Sequence, residues 1–293
     1  MFGIRPDGRR VKKMDPIVRM TPIIMPNRND AQVFVKQLID YSAIEDYIKK
    51  KRESGQQLSR MNLVVAAFVR TVFHMPEFNR FVMNKQVYNR NELCVSYSML
   101  KEKTGDELLE TTVKIHFNPE DTLFQVAEKM NQAVAENRSL KVKNLTDRIA
   151  GFFLSIPFLP SLAFSLVRLL DRYGLLPKVI LDASPFHTSM FITNMASIRM
   201  NYVYHHIYNF GTTGIFISMG KKETRLDLDK EGEVVKKSLL PLGIVIDERI
   251  CSGAVYARGL AIMERYLRTP QLLEKEPERA PAQCTDRTKT EIS

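Results

Sequence analysis

Cysteine is scarce in this 293-residue chain, occurring only as Cys94, Cys251 and Cys284. The three lie far apart, form no C-x-x-C pair and are odd in number. This argues against a disulfide framework and a thiolate zinc site, and for free thiols in a reducing compartment. The apolar core of a secretory signal is also missing, because charged residues interrupt the N-terminus from Arg5 onward, so a cytoplasmic protein is expected. There is no glycine-rich phosphate loop, no HExxH pair and no metal-ligand cluster, and no metal site is expected. Nor is there a recognisable nucleic-acid module, so the formal net charge of +10 does not by itself imply a nucleic-acid partner.

What is present suffices for a substantial core. Hydrophobic residues make up 44% of the chain, and we read residues 1–269 as a single domain followed by a disordered tail over 270–293, polar and proline-bearing. Basic residues cluster at Arg9, Arg10, Lys12 and Lys13 and again at Lys49–Arg52, both read as solvated faces.

Along the chain, residues 1–13 read as an extended arm with a turn at Asp7-Gly8, and 16–25 as a brief apolar segment. A strand is expected over 30–40, a helix capped by Ser42 through Lys51, and a second helix from Ser59 that stops before Pro76. Strands follow at 81–88, 93–100 and 108–117, the last two forming a hairpin about Thr104-Gly105-Asp106, and then a helix over 123–136. Strand pairs followed by a helix describe an α+β domain. Further strands are expected at 189–194, 213–219 and 234–247.

No charged residue occurs from Ile149 to Val167. Such a run reaches the length of a membrane span. Pro157 and Pro160 break it, however, and it lies within an apolar insert of about residues 147–176. It is expected to form two short helices that pack on the domain or, alternatively, contact a lipid substrate or a membrane surface peripherally.

The stretch around which the chain is organised is LLPLGIVIDERICSGAVYARGLAIMERYL, Leu239 to Leu267. A buried strand leads through Asp247-Glu248-Arg249-Ile250-Cys251-Ser252-Gly253 into an amphipathic helix, which places a polar cluster between two rigid elements. This stretch resembles the strand–DHRxxDG–helix signature of the chloramphenicol acetyltransferase-like superfamily, nearest the catalytic domain of the dihydrolipoamide acyltransferases of 2-oxoacid dehydrogenase complexes. The segment His74 to Asn79 and the strand Ser189 to Asn194 resemble two further family segments, and the likeness runs from about Ala31 to Leu273.

The resemblance implies a mixed sheet flanked by helices, a homotrimer with its site between subunits, and acyl transfer from a thioester such as acyl-CoA to an acceptor that the sequence does not name. No lipoyl domain or subunit-binding module precedes the domain, so a working core component of such a complex is not expected. Asp247, Arg249 and Gly253 match the signature, while Glu248 stands at the histidine position and Ser252 at the second aspartate position. A carboxylate is a poor base for a thiol, since its usual pKa lies about four units lower. His205 and His206 supply imidazoles, and on the trimeric template they approach Glu248 of the neighbouring subunit. The candidate catalytic residues are therefore His205, His206 and Glu248. Thr193, Asn194, Arg249 and Ser252 are the candidate substrate-binding residues. The competing reading is a catalytically silent homologue that keeps the trimer as a binding or scaffold protein.

Overall fold

A computed structural model describes residues 4–100, 110–137, 148, 151, 155, 160–229 and 231–278. In chain order the first elements are β1 (Ile4–Arg5), β2 (Gly8–Arg10), α1 (Pro16–Ile24), β3 (Gln32–Asp40), α2 (Tyr41–Glu53) and α3 (Arg60–His74). Next come β4 (Arg80–Met83), β5 (Gln86–Arg90), β6 (Leu93–Leu100), β7 (Glu110–Phe117) and α4 (Leu123–Asn137). The remainder comprises α5 (Pro160–Arg172), α6 (Lys178–Ala183), β8 (Met190–Asn194), β9 (Ile215–Met219), β10 (Glu223–Leu228), β11 (Val234–Asp247) and α7 (Gly253–Arg268).

The main sheet runs β10-β11-β9-β8-β6-β7, with β3 on the other edge of β11. Strands β6, β8 and β9 are parallel, whereas β7, β11 and β3 join antiparallel, so the sheet is mixed and the architecture is α+β. Strand β11 changes character halfway. Its first residues pair with β10 in a largely exposed arm, while Leu240 to Asp247 are all buried between β3 and β9. An unbroken aliphatic run is what a strand covered on both faces requires. A second sheet, β1-β2-β5-β4, packs beside it.

Helix α3 is the centre of the core. Leu63 through Val69 are buried without a break, and the helix packs against α7 and α4. At about 1.5–3 kcal/mol for each fully buried large apolar side chain, this segment alone contributes heavily to stability. It begins with a capping box, in which the Ser59 side chain accepts from Asn62 N–H and the Asn62 side chain accepts from Ser59 N–H.

Several local expectations are corrected. Residues 4–10 are no free arm but a hairpin that continues into the second sheet through β5. Helix α2 is capped by Asp40, whose carboxylate accepts from the Ser42 N–H. The expected strand at 81–88 is two strands joined by a two-residue turn, Asn84-Lys85, both at positive φ. Strand β10 went unforeseen, because its polar, exposed residues carry little burial signal. The tail expected from 270 starts too early: the 3₁₀ turn Pro270–Leu273 is buried at both ends, and Glu274 accepts from the Tyr47 hydroxyl.

Of the apolar insert, Phe152, Phe153 and Phe158 lie outside the described residues, as does the turn at 104–106. Pro160 opens α5 at its first turn, where its missing N–H costs nothing. The helix buries Val167 but leaves Leu162, Phe164, Leu166 and Leu169 exposed. Among the described residues no helix is long and apolar enough to cross a membrane.

Candidate functional site

At the end of β11 the matched half of the signature forms a closed ion cluster. Asp247, 1% exposed, accepts from Arg249 Nε at 2.7 Å and Nη2 at 2.8 Å, and from Arg28 Nε at 3.3 Å. The remaining donors of the two guanidiniums go to backbone. Arg249 Nη1 donates to the carbonyls of Met25 and Pro26, and Arg28 donates to those of Tyr208, Val82 and Gly211. Gly211 sits at φ +82, and a Cβ there would strike the Phe186 carbonyl, so only glycine lets the loop approach this closely. The cluster therefore pins residues 25–28 and 208–211 onto β11. Burial, with Arg249 as a neighbouring like charge, brings the Arg28 guanidinium down to about 10 against the pull of Asp247.

A second polar region lies at the opposite end of the central strands from Asp247. Here Thr193 and Asn194 at the end of β8, Tyr97 on β6, Phe216 on β9, and His205 and Tyr208 from the irregular 201–212 segment border a cavity of about 600 Å³. The segment is held in place by Ser218 on β9, whose hydroxyl accepts from Val203 N–H at 2.9 Å and donates to the Val203 carbonyl. Gly243 on β11 leaves room for this segment, since a Cβ would come within 2.6 Å of the Val203 carbonyl. The His205 ring stacks on Phe216 at 4.2 Å and 5°, and its Nδ1 lies 2.9 Å from the His206 carbonyl, so the ring orientation is fixed and Nε2 is left for other partners.

Two buried polar atoms in this lining, Tyr97 Oη and Asn194 Oδ1, have no hydrogen-bond partner among the described residues. Burial pushes the Tyr97 phenol up, so it remains a neutral O–H. A buried polar atom left unpaired costs about 1–3 kcal/mol, and such atoms facing a cavity mark a place where a ligand completes the bonding. The Thr193 hydroxyl has only the Met195 sulfur at 3.8 Å.

The structure thus brings Thr193, Asn194 and His205 together and leaves the other candidates apart. His206 and Glu248 do not line the cavity; Glu248 is half-buried and its N–H donates to the Ala31 carbonyl. Arg249 is paired with Asp247 and lies outside this cavity. Ser252, half-buried, precedes α7 without a side-chain cap bond. Cys251 is a core thiol that burial pushes up to about 12, well away from a reactive thiolate.

No protein-family model matches the sequence, and no curated protein matches it significantly. Solved structures do. The chain is similar to Azotobacter vinelandii dihydrolipoamide acetyltransferase, in a study of the catalytic roles of a serine, a histidine and an asparagine, at 15% identity and a TM-score of 0.56, covering 90% of this chain and 94% of that one. It is similar also to a truncated catalytic core of the 2-oxoacid dehydrogenase multienzyme complex from Thermoplasma acidophilum, at 13% identity and TM-score 0.52, over 89% and 99% of the two chains. A chloramphenicol acetyltransferase matches at 13% identity and TM-score 0.50 over the same shares. The chain has the chloramphenicol acetyltransferase-like fold.

Within this acyltransferase-like fold, sequence reasoning missed Tyr97 and Arg28. It also missed a buried network in which Asp171 accepts from Arg5 Nη2 at 2.6 Å and lies 3.1 Å from His187 Nε2, off the line of an ideal hydrogen bond. Burial acts to raise the Asp171 carboxyl, but His187 and Arg5 outweigh it and hold it low, while burial pushes His187 down.

The residues best disposed to ligate a metal among those described are Glu92, His116 and Asp182, at a separate cavity of about 1060 Å³. There Lys178 Nζ already sits 2.9 Å from Glu92 and lowers its carboxyl, and burial pushes His116 down. This larger cavity contains none of the predicted site residues.

Proposed function

We propose that the chain is an acyltransferase-like protein that accepts an acyl thioester, such as acyl-CoA, in the cavity bordered by Thr193, Asn194, His205 and Tyr97. The observation that carries this reading is the pair of buried polar atoms without a partner among the described residues, Tyr97 Oη and Asn194 Oδ1, in the lining of a cavity that His205 also borders. The His205 imidazole takes the proton of the acceptor hydroxyl or thiol, whose oxygen or sulfur then attacks the thioester carbonyl. The Thr193 hydroxyl donates to the oxyanion, while Tyr97 and Asn194 bind the rest of the substrate, and collapse of the oxyanion expels the donor thiolate, which recovers the proton. In a homotrimer of the kind the resemblance implies, Glu248 of a neighbouring subunit reaches His205 or His206 and raises imidazole basicity. This would explain why Glu248 stands clear of the cavity in its own chain.

Incubation of the purified protein with a panel of acyl-CoAs and acceptor thiols, following thiol release, tests the reading. Glu248→Gln should lower turnover roughly 10²-fold, and His205→Ala at least as much. No transfer by the wild type with any donor rejects the proposal.

A second reading has its own support. Glu248 stands where the signature has histidine, and the motif-matching Asp247 and Arg249 serve to hold backbone segments together. A silent trimeric scaffold fits those facts, and unchanged turnover in all three variants, with His206→Ala as the third, would favour it.

A further inference from the structure

A third cavity, of about 470 Å³, lies outside the site just described, between the end of α1, the β4–β5 turn and α5. Its lining includes Arg28, Lys85, Arg168, Arg172 and Arg249 against one acid, Asp171. That acid is already committed to Arg5 and His187. Arg28 and Arg249 share the single carboxylate of Asp247, so the floor of the cavity carries an uncompensated positive charge. Their N–H groups are nearly all used, and the floor offers field rather than donors. Donors come from the rim: Lys85 and Arg168 are exposed and have no ion pair among the described residues, and Arg172 spends one N–H on Asn84 Oδ1 at 3.2 Å.

Lys85 has an independent peculiarity. It is the second residue of a two-residue hairpin turn with φ 60, a position that favours glycine. A long cationic side chain held in a left-handed conformation at the mouth of a cationic cavity is a local cost that ligand binding can explain.

We propose that this cavity binds a phosphate group, gripped by Lys85, Arg168 and Arg172 over the positive floor made by Arg28 and Arg249. A dianionic phosphate matches both the surplus charge and the convergent, partly unsatisfied donors. The exposed Leu169 of α5 lines the same cavity, next to the exposed Leu162, Phe164 and Leu166 of that helix, so the phosphate belongs either to a soluble ester or to an acidic lipid headgroup. The inference stands independently of acyl transfer, because it is read by binding alone.

The test is calorimetric titration of the full chain with inorganic pyrophosphate and with CoA, alongside flotation with phosphatidylcholine vesicles with and without phosphatidylglycerol. Binding in the first arm assigns a soluble phosphate ester, and binding only to the acidic vesicles assigns a headgroup. Lys85→Glu with Arg168→Glu should weaken whichever is bound by roughly tenfold or more. Lys85→Gly, which relieves the turn and removes the charge, should also weaken it while leaving the fold at least as heat-stable. Lys49→Glu with Lys50→Glu, an equal charge change on the exposed side of α2, should have little effect. Binding in neither arm, or equal losses in the Lys49/Lys50 control, would overturn the proposal.

Discussion

Two polar regions lie at opposite ends of the central strands, and they differ in how completely their atoms are paired. Around Asp247 both carboxylate oxygens accept hydrogen bonds, and the guanidiniums of Arg28 and Arg249 are nearly saturated by that carboxylate and by five backbone carbonyls. Around Thr193 and Asn194, two buried polar atoms have no partner and the cavity is open to receive one. A saturated cluster holds a fold together, whereas an unsaturated one beside a cavity is equipped to bind. Asp247 and Arg249, which match the DHRxxDG signature, thus belong to the first kind, whereas Tyr97, which no motif marks, belongs to the second.

The sharpest way to break the comparison is to remove the charge that closes the first cluster. Asp247→Ala leaves two buried guanidiniums without a counter-ion and should cost about 3–5 kcal/mol in chemical denaturation. A loss of under about 1 kcal/mol would mean that the cluster is not structural.

Acid should weaken a neighbouring part of the same framework. The His187 imidazole is pushed down by burial, so the unfolded chain binds its proton more readily than the folded one. Stability from this group is complete above its unfolded pKa of about 6.5 and is lost as pH falls through the lowered folded value. Asp171, also held low, adds a further loss of the same sign in stronger acid. Denaturation midpoints measured from pH 7 downward should fall, and His187→Gln should flatten the upper part of that fall.

Smaller effects sharpen the contrast. Lys85→Gly should gain roughly 1 kcal/mol by relieving a left-handed residue. Tyr97→Phe removes an unpaired buried hydroxyl, so it should be neutral or stabilising by up to about 1 kcal/mol, unlike any change in the Asp247 cluster. Thermal melts compare both with the wild type.

How much of this was legible in the sequence depends on what each residue does locally. The aliphatic run before Asp247, the helix after Gly253 and the Ser59 cap follow from burial pattern and capping chemistry, which short segments carry within themselves. The Asn84-Lys85 turn was missed because lysine replaces the glycine that usually marks it, and β10 because an exposed arm needs no apolar face. Thr193, Asn194 and His205 were nominated through resemblance and do share a cavity. Tyr97 and Arg28 could not be nominated, since what distinguishes them is partners up to 219 residues away in the chain, or the lack of any.

The most direct test of the central claim is to measure acyl-CoA thiol release and denaturation midpoint together for the wild type, Tyr97→Phe and Asn194→Ala. If the unpaired atoms serve a thioester, both variants should keep the wild-type midpoint or exceed it while turnover falls by roughly tenfold, the scale of losing one hydrogen bond to the substrate. Turnover unchanged at unchanged stability would contradict the account.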